Sequence, residues 1–529
     1  MRKTTKFLLV AMVAMTALLM GCAQENKSQP DKTADNYRVF YQVFVGSFSD
    51  SNGDGIGDLR GIINRMDYLN DGNMYSEDSL GVQGLWLSPI FSSPSYHKYD
   101  ATDYYKIDPK FGTEEDLKEL LTICEERNVK VILDLVINHT SRSNVWFQKF
   151  TSAHKNGDTS DPYYDFYSWT NLSERENGKA YSTIPGCAGQ VYECNFDSGM
   201  PELNYDNPTV KEEMLKVAKY YLDLGVDGFR FDAIKYIYYN DTKRSSAFWD
   251  WYMGELKAYK PDIYCVGECW SADGETLEYV SSLNCFNFQI AQQEGYIANA
   301  AKGGNIETYT KYVQKYQGQV KAENSTDGMM IPFIANHDMD RAAGYLTVFD
   351  GKAYVGANLL MLTPGSPFIY YGEEIAMKGT RGGANTDANR RLAMLWGDED
   401  TVKNPTGSTY SADKQKNGTV VSQLEDENSL LHHYRELIRI RKDYPEIARG
   451  DYQSLAIGKK NFGGFVITYE DAKTYILHNT STEEINVDLG QYEELSAGGY
   501  KLVEAVGLGE AKLDGTTLTL APQTSVILK

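Results

Sequence analysis

Five charged residues stand where short apolar runs end: Asp134 in VILDLVINHT, Arg230 and Asp232 in GVDGFRFDAIK, Glu268 in CVGECW, and Asp338 in FIANHDMDR. Arg230 and Asp232 are two apart on a strand-like run, so both side chains point to one face. A guanidinium beside Asp232 is expected to favour its ionised form and lower its pKa, which suits a nucleophile. Glu268 follows the apolar IYCVG, where burial would keep its carboxyl protonated and fit to act as a general acid. An ionised and a protonated carboxyl across one pocket can split a glycosidic bond, with retention at a separation of about 5–5.5 Å and inversion at about 6.5–9.5 Å. One isolated carboxylate is usually a surface or ion-pair residue. Several at successive strand ends are much harder to obtain by chance.

Those strand ends need a frame. Strand-like runs occur at Val39–Val45, Val82–Leu87, Val131–Val136, Gly228–Phe231, Ile263–Val266, Phe286–Gln289, Ile331–Ala335 and Phe368–Tyr371, with helical patterns such as Glu114–Arg127 and Val210–Leu224 between them. This alternation predicts an α/β fold, a (β/α)8 TIM barrel over 37–445, whose chemistry sits at the C-terminal ends of the strands. Residues 140–204, rich in Ser, Asn, Gly and Tyr, are too long for a structureless loop and predict an inserted domain after strand three. After the helix Leu430–Lys442, alternating runs such as FVITYE and TYILHN predict a C-terminal β-sandwich over 446–529.

The first 21 residues carry Arg2, Lys3 and Lys6 ahead of an apolar stretch and read as a signal peptide. The ending Leu-Met-Gly-Cys resembles a bacterial lipobox, which implies lipidation of Cys22 and a polar tether over 22–36. A membrane-anchored lipoprotein at the cell surface or facing the periplasm follows as the expectation. In that compartment Cys187 and Cys194 either pair or stay free, while Cys265 and Cys269 read as buried thiols, since no second pair at zinc spacing follows. The net charge of −21 argues against nucleic acid as a partner. The 39 tyrosines, against 20 Phe and 7 Trp, suit sugar faces but also ordinary cores.

Together these segments resemble the signature regions of the α-amylase family of retaining glycoside hydrolases. DLVINHT, GFRFDAIK, VGECW and ANHD resemble four of them, MPELN (residues 200–204) a fifth, and YQVFVGSF, SPSYHKYDATDYYKIDPKFGT and YYGEEIAMKG other stretches. The resemblance implies Asp232 as nucleophile, Glu268 as acid/base, and Asp338 holding the distorted sugar at subsite −1. It implies Arg230 beside the nucleophile, His139 and His337 on hydroxyls of that sugar, and Tyr99 under its ring. Asp100 and His97 would help hold the subsite, Asp134 would support it, Arg391 would contact it, and Lys235 would reach the +2 sugar. Two positions depart from the pattern. Lys98 stands where relatives commonly have Gly, which would alter the pocket rim. Tyr236 stands where many carry the His of a calcium site, which puts that site in doubt.

A separate calcium argument lies in DSNGDGIGD. Asp50, Asn52, Asp54, the Ile56 carbonyl and Asp58 take the first alternating positions of an EF-hand-like loop, but Gly61 stands where the bidentate Glu belongs. The expectation is structural Ca2+ after the first strand. Ala233 after Asp232 and the MPELN signature resemble an intermediate group that contains membrane-anchored bacterial α-amylases. Starch and maltooligosaccharides are therefore the expected ligands, cut at α-1,4 bonds from within by a monomer. The alternatives are a cyclomaltodextrinase or neopullulanase, an α-glucosidase, and, more remotely, a glycan-binding lipoprotein without catalysis.

Overall fold

The computed structural model describes residues 33–73 and 75–529. The signal segment, Cys22 and most of the tether lie outside the described residues. Among the described residues no helix is long and apolar enough to cross a membrane.

Seven parallel strands form one curled sheet. Phe40–Val43 lies between Phe368–Tyr370 and Gly84–Leu87, and Lys130–Leu135, Gly228–Phe231, Tyr264–Gly267 and Asn284–Cys285 follow in order. The ring closes through single parallel bridges, Phe286 with Ile331 and Phe333 with Phe368, making the barrel eightfold. The seventh strand is thus shorter than the apolar run predicts, and the sixth lies at Asn284–Cys285, ahead of the expected Phe286–Gln289, of which only Phe286 bridges. Pro332 has no N–H for the ladder, so the seventh strand reduces to bridges at its neighbours. In the sixth, the Asn287 side chain accepts from the Ile290 N–H (3.2 Å) and the Tyr312 hydroxyl (2.8 Å), turning the chain out of the sheet.

The barrel interior is packed with large side chains, among them Phe40, Trp86, Tyr264, Phe286, Phe333 and Phe368. Phe40 stacks on Tyr264 at 4.5 Å and on Phe368 at 4.8 Å. Gly84 makes room for it: a Cβ there would lie 2.4 Å from the Phe40 ring. This aromatic plug fills the barrel below the strand ends and leaves the polar side chains above it. Outside, helices pack apolar faces on the sheet. Glu114–Glu126 begins with a Thr113–Asp116 capping box, and Pro208–Asp223 begins with an Asn207 cap and Pro at its first turn.

After the third strand the insertion forms the helix Val145–Asn156 and a three-stranded antiparallel sheet with Gln190–Glu193 at its centre. It rejoins the barrel through the bridge His139–Glu202, and a bridge Tyr167–Leu203 ties its last residues to its own interior. Beyond the helix Leu430–Asp443, five antiparallel strands and a separate three-stranded sheet enclose an aliphatic core that includes Leu477, Leu489, Leu518, Leu520 and Val526.

All six cysteines among the described residues are free. Cys187 and Cys194 are not paired, because the extended strand Gln190–Glu193 runs between them and carries the two thiols apart. Cys265 and Cys269 are buried.

Candidate active site

Sheet register assembles the centre. Arg230 lies opposite Asp134 on one side and Val266 on the other, and Phe231 aligns with Leu135 and Gly267. Asp232 and Glu268, each one residue past its strand, therefore emerge side by side, and the Glu268 N–H still donates to the Phe231 carbonyl (2.9 Å). Ala233 then adopts a left-handed conformation (φ 50°), a cost of roughly 1–2 kcal/mol for a residue with a Cβ. That turn aims its N–H at Glu268 Oε2 (3.2 Å).

Arg230 is fully buried and holds three carboxylates. Nη1 donates to Asp134 Oδ1 and Asp232 Oδ1, both at 2.7 Å. Nη2 lies 2.7 Å from Glu268 Oε2, an ion contact without hydrogen-bond alignment. Its guanidinium faces the rings of Trp86 (5.1 Å) and Tyr99 (5.8 Å). One cation cannot offset three buried carboxylates, so protonation is favoured within the group. Burial pushes Glu268 up to about 7, with Arg230 opposing and the charges of Asp232 and Asp338 adding to the rise. Asp232 is likewise pushed up to about 6 by burial, although Arg230 pulls it down. This corrects the lowering expected from the i, i+2 pairing: the guanidinium is shared with Asp134, and desolvation outweighs its pull.

Asp338 behaves oppositely. Burial works against its charge, but His337 and Arg391 bring it well below the usual carboxylate range. Arg391 Nη2 donates to Asp338 Oδ1 (2.6 Å), Nε to the His337 carbonyl (3.0 Å) and Nη1 to the Tyr96 hydroxyl (3.1 Å). The Gln42 amide nitrogen faces His337 Nδ1 at 2.8 Å, which places the ring proton on Nε2. There it meets the Tyr99 hydroxyl (2.6 Å) and Asp338 Oδ2 (3.0 Å). The Tyr99 hydroxyl in turn donates to Asp134 Oδ2 (2.7 Å), and its ring lies parallel to His337 at 5.3 Å. Burial lowers His97 and His139 to about 4, so both are neutral at pH 7, each with one ring nitrogen able to accept and the other to donate. His139 Nε2 is buried and has no partner among the described residues. Asp100 accepts from Ser93 and Ser95.

Further out, Lys235 Nζ donates to the Trp270 carbonyl (2.9 Å), and Tyr236 meets the exposed Phe196 edge-on at 5.0 Å. Trp270 is exposed and stacks on Phe288. A cleft of about 540 Å3 runs along Trp270, Gln292, Asp338, Tyr345, Arg381 and Arg390.

Four similarities bear on this geometry. Residues 42–450 match the family profile of the alpha-amylase catalytic domain. Alpha-amylase 3 of Dictyoglomus thermophilum is 34% identical over 93% of this chain and 93% of its own, and a 4-alpha-glucanotransferase of Thermotoga maritima is 32% identical over 84% and 96%. The solved structure of Eubacterium rectale Amy13B superposes with a TM-score of 0.86 at 35% identity, over 96% of this chain and 98% of that one. The chain belongs to the alpha-amylase family. It is an enzyme of that family's retaining glycosidase class.

Within this family member, the barrel brings together Asp232, Glu268, Asp338, Arg230, Asp134, His337, Tyr99 and Arg391 through direct contacts, and His97, Asp100 and His139 adjoin them. Lys98 does not project from the rim as its departure from Gly suggested. Its side chain is buried and ion-paired with Asp108 at 2.6 Å. Gln42, Trp86 and Tyr96 went unassigned in the sequence. A buried glutamine inside an apolar strand was the available signal for Gln42, while the roles of Trp86 and Tyr96 depend on distant partners.

In the DSNGDGIGD loop the oxygens turn onto the loop's own amides. Asp50 accepts from the Asn52, Gly53 and Gly55 N–H groups, Asn52 from Asp54, and Asp54 from Ile56. Asp58 caps the helix Leu59–Asn64. Among the described residues no three His, Cys, Asp or Glu side chains converge as a metal group. The alternating oxygen donors, with positive φ at Gly53 and Gly55, still match the hard-oxygen chemistry of calcium.

Replacing Arg230 by Met should leave three buried carboxylates without a counter-charge. Chemical denaturation should show a loss of about 3–5 kcal/mol, with turnover abolished.

Proposed function

We propose that this enzyme is an extracytoplasmic, endo-acting α-amylase that hydrolyses α-1,4-glucosidic bonds of starch and maltooligosaccharides. The observation that carries the mechanism is the single guanidinium of Arg230 bridging Asp232 and Glu268. Asp232 attacks the anomeric carbon while Glu268 gives its proton to the departing glycosidic oxygen, leaving a glycosyl ester on Asp232. Glu268, now ionised, takes a proton from water; the resulting hydroxyl attacks the same carbon, releases Asp232 and restores both groups. Asp338, kept ionised, accepts from the ring hydroxyls of the −1 sugar, and His337 and the unpartnered His139 Nε2 serve the same sugar. Tyr99 forms the floor beneath it. Lys235, Trp270 and Phe196 serve the acceptor side.

The choice of bond rests on Ala233, the MPELN signature and an alpha-amylase among the relatives. A second reading follows from the relative named 4-alpha-glucanotransferase: a sugar hydroxyl would replace water in the second step, with the same residues. Lipidation of Cys22 would tether the enzyme facing outward, where a polymer too large to import is met.

Product analysis on amylose, pullulan and cyclodextrin decides among these. An α-amylase gives a falling series of maltooligosaccharides from amylose; cleavage of pullulan, preferred ring opening, or products longer than the substrate would each overturn it. Glu268→Gln should lose nearly all turnover yet retain maltooligosaccharide binding.

Turnover needs Asp232 ionised and Glu268 protonated. The profile of kcat/KM should therefore be a narrow bell, its acid limb falling through about 6 and its alkaline limb through about 7, the two limbs belonging to the coupled pair.

Calcium in the DSNGDGIGD loop, held by Asp50, Asn52, Asp54, the Ile56 carbonyl and Asp58, would staple the segment to its neighbours without touching substrate. Asp50 already accepts from Thr401 (2.6 Å), and Ser49 donates to Asp400 (2.6 Å), tying the loop after the first strand to the one after the eighth. Saturating calcium at about 100 times Kd would add about 2.7 kcal/mol. EDTA should lower Tm, and Asp50→Ala should remove that dependence; an unchanged Tm overturns the assignment.

A further inference from the structure

Lys98 sits between two residues of the sugar site, His97 and Tyr99, in a backbone conformation that a lysine rarely adopts (φ 67°). Its side chain turns away from the cleft and inward. There Nζ lies 2.6 Å from Asp108 Oδ2, with the two side chains only 5% and 7% exposed, and donates to the Ser93 carbonyl (3.2 Å). The ammonium also faces the Phe111 ring at 5.4 Å.

Asp108 lies just past the short strand Asp103–Ile107, and its carboxylate gathers the same segment from the other side. Oδ2 also accepts from the Ser93 N–H (3.2 Å), and Oδ1 from the Lys110 N–H (3.0 Å). Ser93 Oγ then donates to Asp100 Oδ1 (2.7 Å), while the Lys98 N–H donates to Ser95 Oγ (3.0 Å), which itself donates to Asp100. The Tyr99 N–H donates to His97 Nδ1 (3.2 Å). Asp100, through Ser93 and Ser95, and the backbone that carries His97 and Tyr99 are thus fastened to one buried ion pair, while the Tyr99 hydroxyl is held from the other side by Asp134 and His337.

From this arrangement we infer that Lys98 and Asp108 are positioning residues for the reaction: their buried pair holds the His97–Asp100 turn, and with it the Tyr99 hydroxyl, in the geometry the transition state requires. A glycine would relax the backbone at 98. The lysine is retained in a strained conformation because its charge is needed beneath the turn. Catalytic groups misplaced by about 1 Å can lose about 100-fold in rate, so the pair acts on kcat through residues that it orients, without touching substrate.

The inference rests on the proposed roles of Tyr99 and Asp100. Glu268→Gln tests that reading separately: if it keeps its turnover, the mechanism itself fails. The experiment compares Lys98→Gly, Lys98→Met, Asp108→Asn and the double variant Lys98→Met/Asp108→Asn, measuring kcat and KM on maltoheptaose together with Tm. Expected is a fall in kcat of about 10-fold or more with KM changed less than about threefold, in each single variant at temperatures well below its Tm. Lys98→Gly, which relieves the backbone strain, should keep that kcat loss even where its Tm stays near that of the parent. The double variant should lose no more than the worse single one, since both act through one contact. A folded Lys98→Gly enzyme with kcat within twofold of the parent overturns the inference, as do losses that multiply in the double variant. If Lys98→Met does not fold, Lys98→Gly and Asp108→Asn carry the same comparison.

Discussion

One guanidinium governs this active site. Arg230 is sealed from water by Trp86 and Tyr99 and faces Asp134, Asp232 and Glu268 at 2.7 Å each. A lone buried carboxylate would be costly, and three around a single cation cannot all be ionised without penalty. Burial thereby raises Asp232 to about 6 and Glu268 to about 7, so that between those values the pair favours one carboxylate beside one carboxylic acid, the starting state that retaining glycoside cleavage needs. Asp338 adds its charge to that competition but has partners of its own, His337 and Arg391, which hold it well below the usual carboxylate range despite burial. The two arginines divide the carboxyl groups into a set that exchanges protons and one that does not.

The rest of the fold makes this cluster affordable and rigid. Aromatic side chains fill the barrel below it. Parallel register puts Arg230 opposite Asp134 and brings Glu268 level with Asp232. Two residues with side chains then accept left-handed backbone on either side of the pocket. Ala233 turns an N–H toward Glu268, and Lys98 turns a charge beneath the sugar-facing segment. Strain at such positions persists only where surrounding contacts over-determine it, and both have them.

Much of the architecture was legible because hydrophobic periodicity is a local property. The alternation of strand and helix located the barrel strands to within a few residues, and motifs at their ends named the charged residues of the centre. The shortfalls also have local causes that cross-strand contacts bring out: Pro332 interrupts the seventh strand, and Asn287 ends the sixth. Spacing alone left Cys187 and Cys194 open, since six intervening residues of loop permit a bridge, whereas the strand Gln190–Glu193 extends the chain between them.

By itself the sequence determined which chemistry was available: an arginine and an aspartate on one strand face, a glutamate at the end of the next, an aspartate and a histidine further on. Those follow from residue type and the two-residue repeat of a strand. Tertiary structure decided the direction in which each carboxyl shifts. Whether Arg230 lowers Asp232 depends on how many other carboxylates share the guanidinium and how far water is excluded, and both are set by strands distant in the chain. The destination of Lys98 was decided there too, because a charge next to a binding motif can face the ligand or an aspartate ten residues away, and only packing chooses between them.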